Sequence, residues 1–412
     1  MSHGWTGGQY SLYRVVFGSY LFVHYVGLIP WGRELFSDHG ALPDASASPL
    51  FGLFPNVLAI ADSPAAVVML LTFAAVSSVL FAAGRFDRTA AVGLWYVGAC
   101  LVGRNPLITN PALPYVGWLL LAHALLRPAP YGAWSARGRL DPGGSWSMAN
   151  GIYGSAWVVM ALGYTYSGYT RLVSPSWLDG SALTRILDSP LARPGPLREL
   201  LLGLPEIVLR LATWGSLAAE LLFAPLALSR RLRPLVWCSL LSMHLALMPV
   251  LDFVDLSLGM VMLHLFTFDP RWVRPLHSGA GDTLLYDGSC GLCHRAVRFV
   301  LAEDRTAVFR FAPLDSETFR DSVPAASRRE LPDSLVIATA DGRLITRARG
   351  VRYILQRLGG LWRCLALASR LVPPILLDRM YDVVAATRHR LFRRPQQSCP
   401  ILPPHLRDRF GS

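Results

Sequence analysis

Apolar residues gather in about eight blocks over the first two-thirds of the chain. They lie near residues 10–30, 64–83, 89–103, 112–127, 150–170, 205–229, 234–251 and 254–268. A straight membrane span needs about 20 apolar residues. The longer blocks meet that length and several do not. The pattern predicts a multi-pass α-helical membrane domain with some tilted or half-buried helices. No basic stretch precedes the first block and no small-residue cleavage site follows it, so it reads as a membrane helix rather than a signal peptide. From about residue 282 the pattern becomes mixed. Strand-like runs at 284–286, 308–312, 335–339 and 343–346 alternate with helical patterns that start at the Cys290 region, near 316–322, at 350–358 and at 361–371. This order predicts an α/β domain over residues 282–412, joined by a linker from His277 to Gly281 to a helical membrane domain over residues 1–276.

Charge sharpens the membrane reading. Charged residues make up 16% of the 412, against about 25% in a typical soluble domain, while 52% are hydrophobic. The net charge is +12, and with no lysine in the chain every fixed cation is arginine. The arginines sit in short clusters between the apolar blocks. Arg85 and Arg88 follow the second block, Arg127, Arg137 and Arg139 the fourth, Arg230, Arg231 and Arg233 the sixth, and Arg271 and Arg274 the eighth. The connections between carry Glu34, Asp38, Asp44 and Asp62 with one Arg33, or Asp252 and Asp255. By the positive-inside rule both termini are expected in the cytoplasm, with the protein in the cell membrane and lipid as its main partner. No nucleic-acid-binding motif is present.

The chemistry concentrates in Leu284-Leu285-Tyr286-Asp287-Gly288-Ser289-Cys290-Gly291-Leu292-Cys293-His294. A short apolar run ends in a glycine turn, and a helical pattern carrying Val297, Val300 and Leu301 on one side follows. The Cys-x-x-Cys spacing puts both sulfurs in the first helical turn, within disulfide reach. Free N–H groups and the helix dipole there favour a thiolate, so Cys290 is expected to be the nucleophile. Half a zinc site or a packing pair are the competing readings. Zinc needs two more ligands; His294 and Cys399 are the nearby candidates and do not repeat a knuckle spacing, so no metal is expected. Six cysteines over this length are too few for a disulfide scaffold. Cys100 and Cys238 read as packing residues, and Cys364 and Cys399 have no evident partner. Pro332, just before the third strand, reads equally as a cis-proline beside the dithiol or as a plain turn proline.

The Asp287-Gly288-x-Cys290-x-x-Cys293 sequence resembles the signature of the DCC thiol-disulfide oxidoreductase family. The resemblance continues through Phe309-Arg310-Phe311-Ala312-Pro313-Leu314, Gly350 to Gly359, Asp378-Arg379-Met380-Tyr381 and Cys399-Pro400, and covers about residues 282 to 410. It implies a thioredoxin-like fold and dithiol–disulfide exchange, with Cys290 attacking, Cys293 resolving and Asp287 in support.

The helical part resembles the HTTM family, relatives of the vitamin K-dependent gamma-carboxylase, over about residues 8 to 275. The matching residues are Arg104-Asn105-Pro106, Tyr166-x-Gly168 with Trp177-x-Asp179-Gly180, Glu220-Leu221 and His244-Leu245. One position departs from that pattern. Arg171 stands where the family often has a lysine, and a guanidinium stays protonated at neutral pH, so it is no general base. Carboxylation by the family mechanism is therefore not expected. Charges inside apolar blocks are costly and tend to pair. Arg104, Arg171, Glu220 and His244 are candidates for a polar membrane pocket, with Arg104 or Arg14 the expected partner of Glu220. A structural ion pair with snorkelling arginines is the competing reading. The favoured function is a membrane-bound thiol-disulfide oxidoreductase exchanging electrons with a partner dithiol protein, or with a substrate or a quinone in the membrane domain. The quinone rests on the carboxylase analogy. The alternatives are a scaffold or transporter with a regulatory redox domain, or a carboxylase-like enzyme.

Overall fold

The computed structural model describes residues 3–137, 146–276, 281–329, 331–332, 334–392 and 404–411. Cys399 and most of the expected linker lie outside them. The chain forms two compact units. One comprises Tyr13–Leu126 and Ala149–Phe268; the other comprises Ser2–Leu12, Arg127–Met148 and Asp269–Ser412. The boundary thus falls earlier than the expected linker, and two N-terminal segments belong to the second unit.

The first unit is helical. Its main elements are α1 (Gly7–Leu28, whose first turns lie in the second unit), α2 (Pro64–Ala83), α3 (Asp87–Arg104), α4 (Leu113–Leu125), α5 (Asn150–Arg171), α6 (Glu206–Leu221), α7 (Arg233–Leu247) and α8 (Val254–Thr267). Local chemistry sets their ends. Ser63 caps α2 by accepting from the Ala66 N–H at 3.4 Å, Pro64 fixes the first turn, and Gly84 closes the helix at φ 70°. Among the described residues two stretches, Gly7–Phe36 and Pro64–Ala83, are long and apolar enough to cross a membrane. The count rises to four if two bent helix pairs each make one span: Pro196–Leu202 with Glu206–Leu221, bent by 99°, and Gly360–Leu371 with Pro374–Arg388, bent by 115°. The eight apolar blocks are therefore not eight straight spans. Helices α4, α7 and α8 have 13, 15 and 14 residues. That is about 20–22 Å of helix against about 30 Å of hydrocarbon.

The second unit holds a four-stranded mixed sheet. Strand β1 (Asp282–Tyr286) lies between β2 (Phe309–Pro313) and β3 (Val336–Ala338), and β4 (Leu344–Thr346) forms the edge beside β3. The β1–β2 pair is parallel, with Leu284 opposite Phe311; the other two pairs are antiparallel. Helix α9 (Gly291–Glu303) makes the crossover between the parallel strands, and α10 (Arg347–Leu358), α11 (Gly360–Ala368) and α12 (Pro374–Leu391) follow β4. Alternation along β1 buries both faces. Leu284 and Tyr286 join Phe309, Phe311, Ile337, Val297, Val300 and Ile354 on one side; Leu285 joins Ala312, Val323 and Val336 on the other.

Glu303, at the C-terminal end of α9, ties the N-terminal segment into this unit. Its buried carboxylate accepts hydrogen bonds from the Thr6 hydroxyl, the Gly8 N–H at 2.7 Å and the Trp362 indole N–H at 2.6 Å. Gly8 is needed for the approach, because a Cβ there would lie 2.6 Å from Glu303 Oε1. Burial pushes the Glu303 carboxyl above its ordinary value, and the three donors offset only part of the rise. The folded state holds this proton more tightly than the unfolded chain does. Its contribution to stability is therefore complete below the ordinary carboxylate range and is lost as pH rises through the raised value. A Glu303→Gln variant should gain on wild type as pH goes from about 4 to about 8, read as the difference between their melting midpoints. A difference that stays flat or shrinks contradicts the assignment.

Candidate functional site

The turn between β1 and α9 is built to hold a sulfur at a helix N-terminus. Asp287 Oδ1 accepts from the Ser289 N–H at 2.8 Å and the Ser289 hydroxyl at 2.7 Å. The Cys290 N–H donates to the Asp287 carbonyl at 3.2 Å, and His294 Nε2 donates to the Gly288 carbonyl at 2.9 Å. His294 thus braces the turn. Among the described residues no group of three or more His, Cys, Asp or Glu side chains is placed to hold a metal ion.

Cys290 is the N-cap of α9, with extended backbone at φ −97° and ψ 117°, and its Sγ accepts from the Cys293 N–H at 3.4 Å. A sulfur in this position meets the unpaired N–H groups and the positive end of the helix dipole, which favour its anionic form. The Cys293 thiol is pushed up to about 12, first by burial and then by its hydrogen bond to Cys290 and the charge there. Both cysteines are free thiols. Cys290 is 1% exposed, and Cys293 is the more accessible of the two.

Helix α12 supplies residues the sequence pattern did not single out as site residues. The buried Arg388 brings Nη2 to 3.6 Å from Asp287 Oδ2, and its positive charge works against the rise at Cys293. The Tyr381 hydroxyl accepts from the Leu335 N–H at 3.0 Å, fixing α12 beside the start of β3. Pro332 precedes this point, is half-buried and follows a trans peptide bond, since no cis bond occurs among the described residues. The cis-proline reading does not hold at this bond.

Residues 284–394 match the DCC1-like thiol-disulfide oxidoreductase family. The uncharacterized protein YuxK of Bacillus subtilis (strain 168) is 30% identical over 131 residues, which is 31% of this chain and 91% of that protein. Through this region the chain belongs to the DCC1-like family. A chloroplastic DCC family protein of Arabidopsis thaliana is 29% identical over 118 residues, 29% of this chain and 68% of that protein. No solved structure matches the chain. The two relatives align with under a third of the chain, so they speak for the DCC1-like domain and not for the helical unit.

The helical unit does not bring its four candidate polar residues into one pocket. Arg104 pairs with Asp62 at 3.0 Å and donates to the carbonyls of Ser37, Leu42 and Pro43. Arg14 lies 4.0 Å from Asp87. Glu220 instead pairs with Arg171 at 2.7 Å, which corrects the expected Arg104 or Arg14 partner. The reason is the close crossing of α5 and α6 at Gly168, where a Cβ would lie 2.8 Å from the Leu221 nitrogen. That crossing puts the end of α5 beside Glu220, and Arg171 also stacks 4.0 Å over the Trp177 ring. His244 Nε2 lies 2.9 Å from the Tyr164 hydroxyl, which lies 2.7 Å from His264 Nε2. Tyr164 and His264 carried no sequence motif, and only their depth in apolar blocks could have marked them. Arg171→Ala strands Glu220, which is 2% exposed, and should cost about 2 kcal/mol, below the usual buried-pair loss because Arg171 is partly exposed. Glu220→Gln, which keeps a hydrogen bond, should be milder than Glu220→Ala. Melting midpoints in detergent report the order; equal midpoints for all three variants and wild type would refute the pairing.

Proposed function

We propose that the chain is a membrane-bound thiol-disulfide oxidoreductase whose dithiol domain works at the cytoplasmic face. The carrying observation is the asymmetry of the pair: Cys290 Sγ caps a helix while the Cys293 thiol is held protonated. The chemistry follows from that asymmetry. The Cys290 thiolate attacks one sulfur of a substrate disulfide, forming a mixed disulfide and releasing the other sulfur as a thiolate. Cys293 then gives up its proton and attacks Cys290 Sγ. The second substrate thiolate leaves, and the Cys290–Cys293 disulfide remains. Two electrons have passed to the substrate, and the reverse sequence oxidises a substrate dithiol. Asp287 and Arg388 hold the turn and the charge balance around the pair. The partner is a dithiol protein, or a quinone that takes two electrons and two protons from the dithiol to become a quinol. Basic connections on alternate sides of the apolar blocks support cytoplasmic termini.

A redox titration of the full-length protein in glutathione buffers tests the reading. The expected result is one two-electron transition that either Cys290→Ser or Cys293→Ser removes. If no poise produces a Cys290–Cys293 disulfide, the proposal fails. Membrane-impermeant maleimide on intact cells should leave Cys290 unlabelled until the cells are permeabilised, and labelling beforehand reverses the topology.

A further inference from the structure

The helical unit contains a cavity of about 540 Å³ among α1, α3, α4 and the start of α8. This lies within the range of about 300–1,000 Å³ that small-molecule sites occupy. None of Arg104, Arg171, Glu220 or His244 lines it. Its walls are mostly apolar, and Phe36, Trp95, Trp118 and Phe253 give them flat aromatic faces. Gly98 and Gly117 also line the space. A Cβ at Gly98 would come within 3.4 Å of the Tyr25 hydroxyl, and one at Gly117 within 3.4 Å of Trp95 Cδ1.

One polar constellation interrupts this lining. Asp255 Oδ1 accepts from the Tyr20 hydroxyl at 3.0 Å and from His24 Nδ1 at 2.9 Å, and Oδ2 accepts from the Asn110 side-chain N–H at 2.8 Å. Three side chains, two from α1 and one from the connection between α3 and α4, therefore converge to fix one carboxylate. A carboxylate on Nδ1 sets the tautomer and orientation of an imidazole and leaves Nε2 for something else. His24 Nε2 has no protein partner among the described residues, and the ring lines the cavity. In the tautomer in which Nδ1 donates to Asp255, Nε2 is an acceptor.

We propose that this cavity binds a membrane-soluble aromatic compound carrying a ring hydroxyl, with the hydroxyl donating to His24 Nε2 and the ring held among the aromatic walls. The hydrogen bond selects for a donor. An arene without oxygen, or one whose oxygen is methylated, fills the same walls and leaves Nε2 unpaired. The site does not depend on the thiol chemistry.

The test uses full-length protein in detergent and three labelled probes: 1-naphthol, 1-methoxynaphthalene and naphthalene. Binding is read by equilibrium dialysis against matched detergent. Wild type should bind 1-naphthol about ten-fold more tightly than either of the other two, the worth of one hydrogen bond in a dry site. His24→Phe should bring the three affinities within about two-fold of one another while naphthalene still binds. Ala99→Trp, which fills the cavity from α3, should lose all three. Equal wild-type affinity for 1-naphthol and 1-methoxynaphthalene overturns the proposal without any variant. Selectivity that survives His24→Phe, or binding that survives Ala99→Trp, places the ligand elsewhere and overturns it too.

Discussion

Mixed disulfides should accumulate on Cys293→Ser and be absent from Cys290→Ser. In the first variant the Cys290 sulfur keeps its place at the start of α9, attacks a partner disulfide and has no thiol behind it to release the adduct. In the second, the contributions of Cys290 are gone, but burial, the largest cause of the rise at Cys293, still pushes the remaining thiol up and keeps it mostly protonated at neutral pH. Iodoacetamide at about pH 7 should therefore modify the pair in Cys293→Ser at least about 100-fold faster than in Cys290→Ser. Because Cys290 is nearly enclosed, its rate should rise when α12 is loosened, for example by Arg388→Ala, which removes the cation beside Asp287. Equal alkylation rates in the two variants, or adducts trapped on Cys293 instead, would reverse the assigned roles.

Asp282→Ala should be among the most damaging single changes in the dithiol unit, costing about 3–5 kcal/mol and lowering the melting midpoint by about 10 °C. Asp282 opens β1 at 1% exposure and meets Arg357 Nε at 3.0 Å, with Arg357 buried as well. The same carboxylate accepts from the Tyr353 hydroxyl at 2.9 Å and the Ala340 N–H at 3.1 Å, while Arg357 donates to the Leu276 carbonyl at 2.8 Å. Removing Asp282 leaves a buried guanidinium without its anion and two donors without an acceptor. An Asp282→Asn/Arg357→Met pair, which removes both charges, should recover part of the loss. A double variant as unstable as the sum of the singles would show that the two groups act separately. Thermal melts followed by a fluorescent thiol probe report the loss.

The parts of this site that are local in sequence were legible. The glycine turn, the Cys-x-x-Cys spacing and the apolar stripe of α9 lie within about twenty residues, and β1, β2, β3 and β4 fall within a few residues of the runs that predicted them. Alternation and helical periodicity register nearest neighbours, so they reach this far and no further. Arg388 is invisible to them because it meets Asp287 from a helix about a hundred residues on. Glu303 carries no signal in the local pattern, because its donors sit at Thr6, Gly8 and Trp362. The Glu220 partner was misjudged for a related reason. Which arginine reaches it depends on the close crossing at Gly168, and no spacing along the chain encodes a crossing. The apolar blocks and the shortness of several of them were legible, but composition does not say where a helix stops, and two to four candidate spans stand among the described residues.

The Thr6–Glu303 hydrogen bond joins residues 297 positions apart. A ribosome adding about 5–20 residues per second makes the first of these partners roughly 15–60 s before the second. Throughout that interval Thr6, Gly8 and Gln9 have no Glu303 or Leu361 to receive them, although Gln9 later accepts the Leu361 N–H at 3.0 Å. Closing so long a loop adds little free energy, since the cost grows only with the logarithm of length. Timing is the larger burden: the helical segments emerge in between, and the dithiol unit cannot reach its final packing until nearly the whole chain has left the ribosome. A nascent chain stalled after α8 should expose its first residues to added protease, and one stalled beyond α11 should begin to protect them.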